Sequence, residues 1–150
     1  MNLEKMYQEI ILDHYKHPQQ KKLAPLDSGA VEVHHVNPTC GDVITVRVLL
    51  SDDGKTIKKI SYDSTGCSIS QASASIMFEQ VDGKSLEDFS KSSDEFLAMM
   101  QSKGNFEPNE DLLGDGISMI GVAQYPARIK CALLSWMAAK DAIIRANGDK

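Results

Sequence analysis

The sequence predicts an α+β domain: a small three-stranded antiparallel sheet with helices packed on one face, an N-terminal helix and a long C-terminal helix. Three observations predict it. A helical apolar stripe opens the chain, and three β-branched segments joined by tight connections follow it. From Gly66 onward the apolar period becomes helical and stays so. Helices segregated from an antiparallel sheet define the α+β class, with one sheet face covered and the other more exposed.

Leu3, Met6, Tyr7, Ile10, Ile11 and Tyr15 recur at helical spacing, which predicts an amphipathic helix over 3–15. It should stop near His17-Pro18, because a residue before proline disfavours the α region. Residues 17–29, with Pro18, Pro25 and Gly29, read as a loop. Strands are expected at 30–36, 42–50 and 56–64, the third less cleanly patterned. Asp53-Gly54 within "SDDGK" signals the hairpin between the last two. "CSISQASASIMFEQV" (67–81) predicts a helix rich in small residues. Two further helical pieces are expected at 85–89 and 92–103, where Ser85 with Asp88 and Ser92 with Glu95 fit capping-box spacing. Residues 104–116 read as a loop and 117–124 as a short helix at best. The longest helix is predicted over 125–146, with Pro126 at its start and Gly148 beyond its end.

The 150 residues read as one domain, 1–150. A chain of this size buries roughly 68–70% of its unfolded surface and needs no cross-link to fold. The net charge of −5 and pI near 5.3 argue against nucleic acid as the main partner. "KHPQQKK" (16–22) reads as a solvated loop rather than a binding stripe. No apolar run approaches the roughly 18 residues needed to cross a bilayer, and no signal-type apolar core is seen near the start. A cytoplasmic location with no membrane partner is therefore expected. Reducing cytosol keeps thiols free, and three cysteines cannot all pair, so a disulfide framework is not expected.

Cys40 lies between two predicted strands, in "NPTCGD". Cys67 lies where the third strand gives way to a helix, and Cys131 in the second turn of the last helix. A β-turn and two helix starts can converge at one end of a sheet, which would bring three thiols and Asp42 together. Zinc accepts such a set, preferring sulfur and tolerating carboxylate. The residues also allow plainer roles. Cys131 can fill core space, Asp42 can cap a backbone amide in its turn, and Arg128 can be a solvated charge. Arg128 also shares a helix face with Cys131, where a guanidinium would favour thiolate. The histidines read as structural: His34 and His35 point to opposite faces of a strand, and His14 and His17 lie in or after the first helix.

"ILDHYKHPQ", "NPTCGD", "GCSISQASAS" and "YPARIKCALLSW", in this order and across nearly the whole chain, resemble the SufU branch of the IscU/NifU-N-terminal-like iron–sulfur cluster assembly family. The resemblance implies a metal position held by Cys40, Asp42, Cys67 and Cys131, in an IscU-like fold. IscU-type scaffolds carry a histidine just before the third cysteine, where this chain has Lys130. They also carry a proline-rich chaperone-recognition segment that "AQYPAR" does not reproduce. Residues 85–115 correspond to the extra segment of the SufU branch. These features imply a zinc-bound sulfur acceptor, a sulfurtransferase served by a cysteine desulfurase of the SufS kind. Cys40 would be the acceptor, and Arg128 would support its charge or orient Asp42, with the desulfurase meeting the surface around Cys40 and Arg128. Downstream assembly machinery or apo-proteins would receive the sulfur. The alternative the resemblance leaves open is a non-enzymatic scaffold carrying a transient 2Fe–2S cluster or iron.

Overall fold

The computed structural model describes residues 3–148. Helix α1 (Leu3–Lys16) precedes strands β1 (Val31–Asn37), β2 (Asp42–Leu50) and β3 (Ile57–Thr65). Helices α2 (Ser68–Val81), α3 (Leu86–Gln101) and the short α4 (Glu110–Leu113) follow. A 3-10 segment (Gly114–Gln124) and helix α5 (Pro126–Gly148) complete the chain. The strands form one antiparallel sheet in the order β1-β2-β3.

Strand β2 sets the geometry. Its side chains alternate strictly, so Asp42, Ile44, Val46, Val48 and Leu50 all point to the buried face. Helices α2 and α5 cover that face, and α1, α3 and the 3-10 segment pack behind them. Helix α2 is buried nearly all round, which matches its lack of a polar face. Its small residues allow close approach to α5, where the Ser73 hydroxyl donates to Ala132 O at 2.6 Å. Residues 24–30 run against the outer face, held where Arg47 donates to Ala24 O at 2.8 Å.

The predicted strands and the first, second and last helices are present to within a residue or two. The predicted 85–89 and 92–103 pieces are one continuous helix, α3. Ser85 caps it by accepting from Asp88 N, but Ser92 lies mid-helix and donates to Leu112 O at 2.6 Å. Its capping-box spacing was coincidental; Glu95 instead accepts from Asn109 N at 2.8 Å. The expected 104–116 loop contains α4, capped by the Asn109 side chain, and the 3-10 segment begins at Gly114. Within the described residues no helix is long and apolar enough to cross a membrane.

At the centre of the helical layer Trp136 is fully buried and stacks on Phe96, centroids 4.8 Å apart. Trp136→Ala should lower unfolding free energy by about 3–5 kcal/mol, read by denaturant titration. A loss under about 1 kcal/mol would show that the layer collapses around the void.

Candidate metal centre

The β1–β2 turn, the start of α2 and the second turn of α5 meet at one end of the sheet. Asp42 is the first residue of β2, and strand alternation drives it inward, leaving it 0% exposed. A buried carboxylate must be hydrogen-bonded or paired with a cation. Here Cys67 N donates to its Oδ1 at 2.8 Å and Asn37 Nδ2 to its Oδ2 at 3.3 Å. Burial alone would raise the Asp42 carboxyl. The Cys67 amide and contacts from Cys131, Ser70 and Asn37 outweigh it and hold the group below its ordinary range.

The approach of α2 to this carboxylate depends on Gly66. At φ +143°, a Cβ there would collide with the Asp42 side chain and lie 2.9 Å from its Cα. Gly41 (φ +70°) lets the four-residue turn return into β2 just after Cys40.

The thiols differ in exposure. Cys40 is exposed on the turn, Cys67 is half-buried as the N-cap of α2, and Cys131 is 2% exposed in α5. All three are free. Cys131 Sγ lies 3.1 Å from Cys40 Sγ, and Asn37 Nδ2 points to it at 3.8 Å. The donor atoms of Cys40, Asp42 and Cys131 fall within 4.8 Å of one another. Cys67 Sγ lies 4.0 Å from Asp42 Oδ2, just outside that tight group. Burial, together with the contacts from Cys40, Asp42 and Cys67, pushes the Cys131 thiol far above its ordinary range. A divalent ion reverses this, because coordination deprotonates a thiol outright. Three sulfurs and one oxygen suit tetrahedral zinc, and the buried carboxylate is aimed at the sulfurs, so the donor set fits that ion.

Arg128 is exposed on the first turn of α5. It lines a groove of about 700 Å³ with Tyr7, Ile11, Ile69 and Tyr125. Asp42 takes its orientation from Cys67, Asn37 and Ser70; Arg128 is not among its partners. Sequence reasoning missed Asn37 and Gly66. The first opens "NPTCGD" and the second precedes Cys67, and both positions were visible as neighbours of the candidate ligands. Lys130 is exposed and makes no described contact with the thiols.

The family profile described as the NifU-like N terminal domain matches residues 6–132. The chain is 40% identical to the zinc-dependent sulfurtransferase SufU of Bacillus subtilis over 98% of its own length and 95% of the relative's. It is 41% identical to the iron-sulfur cluster assembly scaffold protein IscU of Streptococcus pyogenes, covering 95% of this chain and 86% of that one. The crystal structure of a nitrogen-fixing NifU-like protein (N-terminal) from Brucella abortus superimposes with a TM-score of 0.80 at 25% identity, covering 99% of this chain and 98% of that one.

Asn37→Ala should weaken zinc binding by about 10–100-fold, the usual cost of removing a group that orients metal ligands. Competition against a chromophoric chelator measures it, with circular dichroism confirming the fold. Unchanged affinity would make Asn37 a bystander.

Proposed function

The chain belongs to the NifU-like N-terminal domain family of iron–sulfur cluster assembly proteins, and from that premise we propose that it is a cytoplasmic, zinc-dependent sulfur acceptor for a partner cysteine desulfurase. Cys40, Asp42, Cys67 and Cys131 would hold the zinc, which when bound keeps the thiols deprotonated without redox change. The observation that carries the reading is the unequal exposure of the thiols: Cys40 is open on a turn, while Cys131 is buried and Cys67 is half-buried.

Only an accessible sulfur can reach a persulfide on another protein. The Cys40 thiolate attacks the outer sulfur of the donor persulfide. A new S–S bond forms at Cys40, the donor's S–S bond breaks, and its electron pair returns to the donor cysteine as thiolate. The exchange is redox-neutral and follows thiol–disulfide rules. Cys67 and Cys131 keep their places because their backbones belong to the starts of α2 and α5. Arg128 lies one turn before Cys131 and shares a groove with Ile69, two residues past Cys67. Its guanidinium would offset the charge brought by the incoming sulfur, and the desulfurase would dock around Cys40 and this rim. The sulfur then passes to downstream assembly machinery or apo-proteins.

A second reading rests on the match to a relative named as a scaffold: the same three cysteines would carry a 2Fe–2S cluster as cargo. Anaerobic incubation with iron and sulfide distinguishes it, because a scaffold would gain a visible spectrum and restore an apo-ferredoxin.

With desulfurase, cysteine and zinc, mass spectrometry should find the added sulfur on Cys40, and Cys40→Ser should carry none. Sulfur found on Cys67 alone would overturn the assignment. Arg128→Ala should slow desulfurase turnover by roughly tenfold, equivalent to 1.4 kcal/mol in the barrier, at unchanged zinc content. An unchanged rate would return Arg128 to the solvated surface.

A further inference from the structure

We propose that His14, Glu79 and Asp115 form a second divalent-cation site, built from nitrogen and oxygen donors and separate from the thiol centre, which fastens α1 to the helical layer. The three residues come from α1, α2 and the 3-10 segment, and their donor atoms lie within 4.8 Å of one another. Glu79 is about three turns beyond Cys67 on α2, roughly 18 Å at 1.5 Å per residue.

His14 is 3% exposed, although it is a polar residue on an otherwise amphipathic helix. Its Nε2 faces Asp115 Oδ2 at 2.8 Å, and its Nδ1 meets Ser75 Oγ at 2.7 Å. An imidazole anchored at one nitrogen and presented at the other is the usual arrangement of a metal-binding histidine. Ser75 is itself held in place. Ser75 Oγ accepts from Gln19 N at 2.8 Å. The buried Tyr62 hydroxyl gives its own proton to Gln19 O at 3.0 Å, which holds the same segment from the other side. Burial pushes the Tyr62 phenol up to about 12, which keeps that proton in place. Nε2 faces the Asp115 carboxylate within hydrogen-bond distance, a contact favoured by positive charge at that edge, carried by a proton or by a metal ion.

Glu79 adds a second carboxylate to the same space. No lysine or arginine pairs with Glu79 or Asp115 among the described residues. Glu79 is exposed and Asp115 partly so, which leaves one side open for entry and for water ligands. One imidazole and two carboxylates suit a first-row divalent ion such as Mn²⁺ or Fe²⁺, harder in its preferences than the thiol centre. A bound ion would tie α1, whose Tyr7 and Ile11 wall the groove beside Ile69, to both neighbouring elements.

The test uses protein first given one equivalent of zinc, so that the thiols are occupied. Mn²⁺, which thiols hold weakly, is then titrated in while the paramagnetic resonance of the free ion is followed. The expected result is uptake of one Mn²⁺ per chain with a dissociation constant below about 1 mM, the weak end of oxygen-rich sites. Glu79→Gln and Asp115→Asn should each weaken uptake by at least about tenfold, and Mn²⁺ should raise Tm in the wild type but not in Glu79→Gln. Glu79 is exposed, so that variant folds. Mn²⁺ left free at about 1 mM, or taken up equally by both variants, would overturn the proposal.

Discussion

The candidate metal centre depends on one buried carboxylate. Asp42 is a charged residue placed in a row of core side chains, with Ile44, Val46 and Val48 following it on the same face of β2. Strand alternation leaves it no route to water. The Cys67 amide answers one oxygen, and the Asn37 side chain reaches the other at a longer 3.3 Å. The first bond joins the start of β2 to the start of α2, across a gap that only a glycine at position 66 allows. The second joins the two ends of the β1–β2 turn and also brings Asn37 against Cys131. Asp42 therefore organises all three segments that bear cysteines. Burial works against a negative group at this depth, and its hydrogen bonds outweigh that cost although the second oxygen is held at longer range. A cation among the thiols would give that second oxygen a further partner.

The same construction divides labour among the sulfurs. Cys67 and Cys131 belong to long helices whose other faces are packed, so moving either sulfur far means disturbing α2 or α5. Cys40 is carried by a four-residue turn, with Cys40 N bonded to Asn37 O at 3.3 Å. Displacing it disturbs little of the core. A site built this way sets two sulfurs on fixed backbones and leaves one exposed on a turn. A fully enclosed four-ligand site would be inert.

Much of this was legible in the sequence. Order, type and sheet membership followed from a change of period at Gly66, because periodicity reports which faces are buried. The four candidate ligands were legible as residues in turns and at helix starts, and as a resemblance. What propensity could not show was connection at a distance. Ser92 carries a cap's spacing, yet tertiary packing runs α3 through it and uses its hydroxyl on Leu112 O. The turn-capping role open to Asp42 overlooked a signal that was present: it has the same parity as Ile44, Val46, Val48 and Leu50, so one continuous inward face already included it. Asn37 was hidden because its role lies in a partner 94 positions away, and no local pattern encodes that.

Helix α1 shows how a marginal element becomes a fixed wall. A helix of 14 residues has little stability of its own in water, and several of its large side chains, including Leu3, Leu12 and Tyr15, remain exposed. Its apolar contacts alone would leave its position along α2 loosely defined, since a stripe against small residues slides at low cost. Directional bonds remove that freedom. His14 reaches both Ser75 and Asp115, while Gln19 N and O are taken by Ser75 and Tyr62. These bonds fix α1 and the start of the following segment to β3, α2 and the 3-10 segment at once. The groove that opens beside Ile69 and Arg128 is bounded by this helix, so its shape is set by a buried histidine far from any thiol.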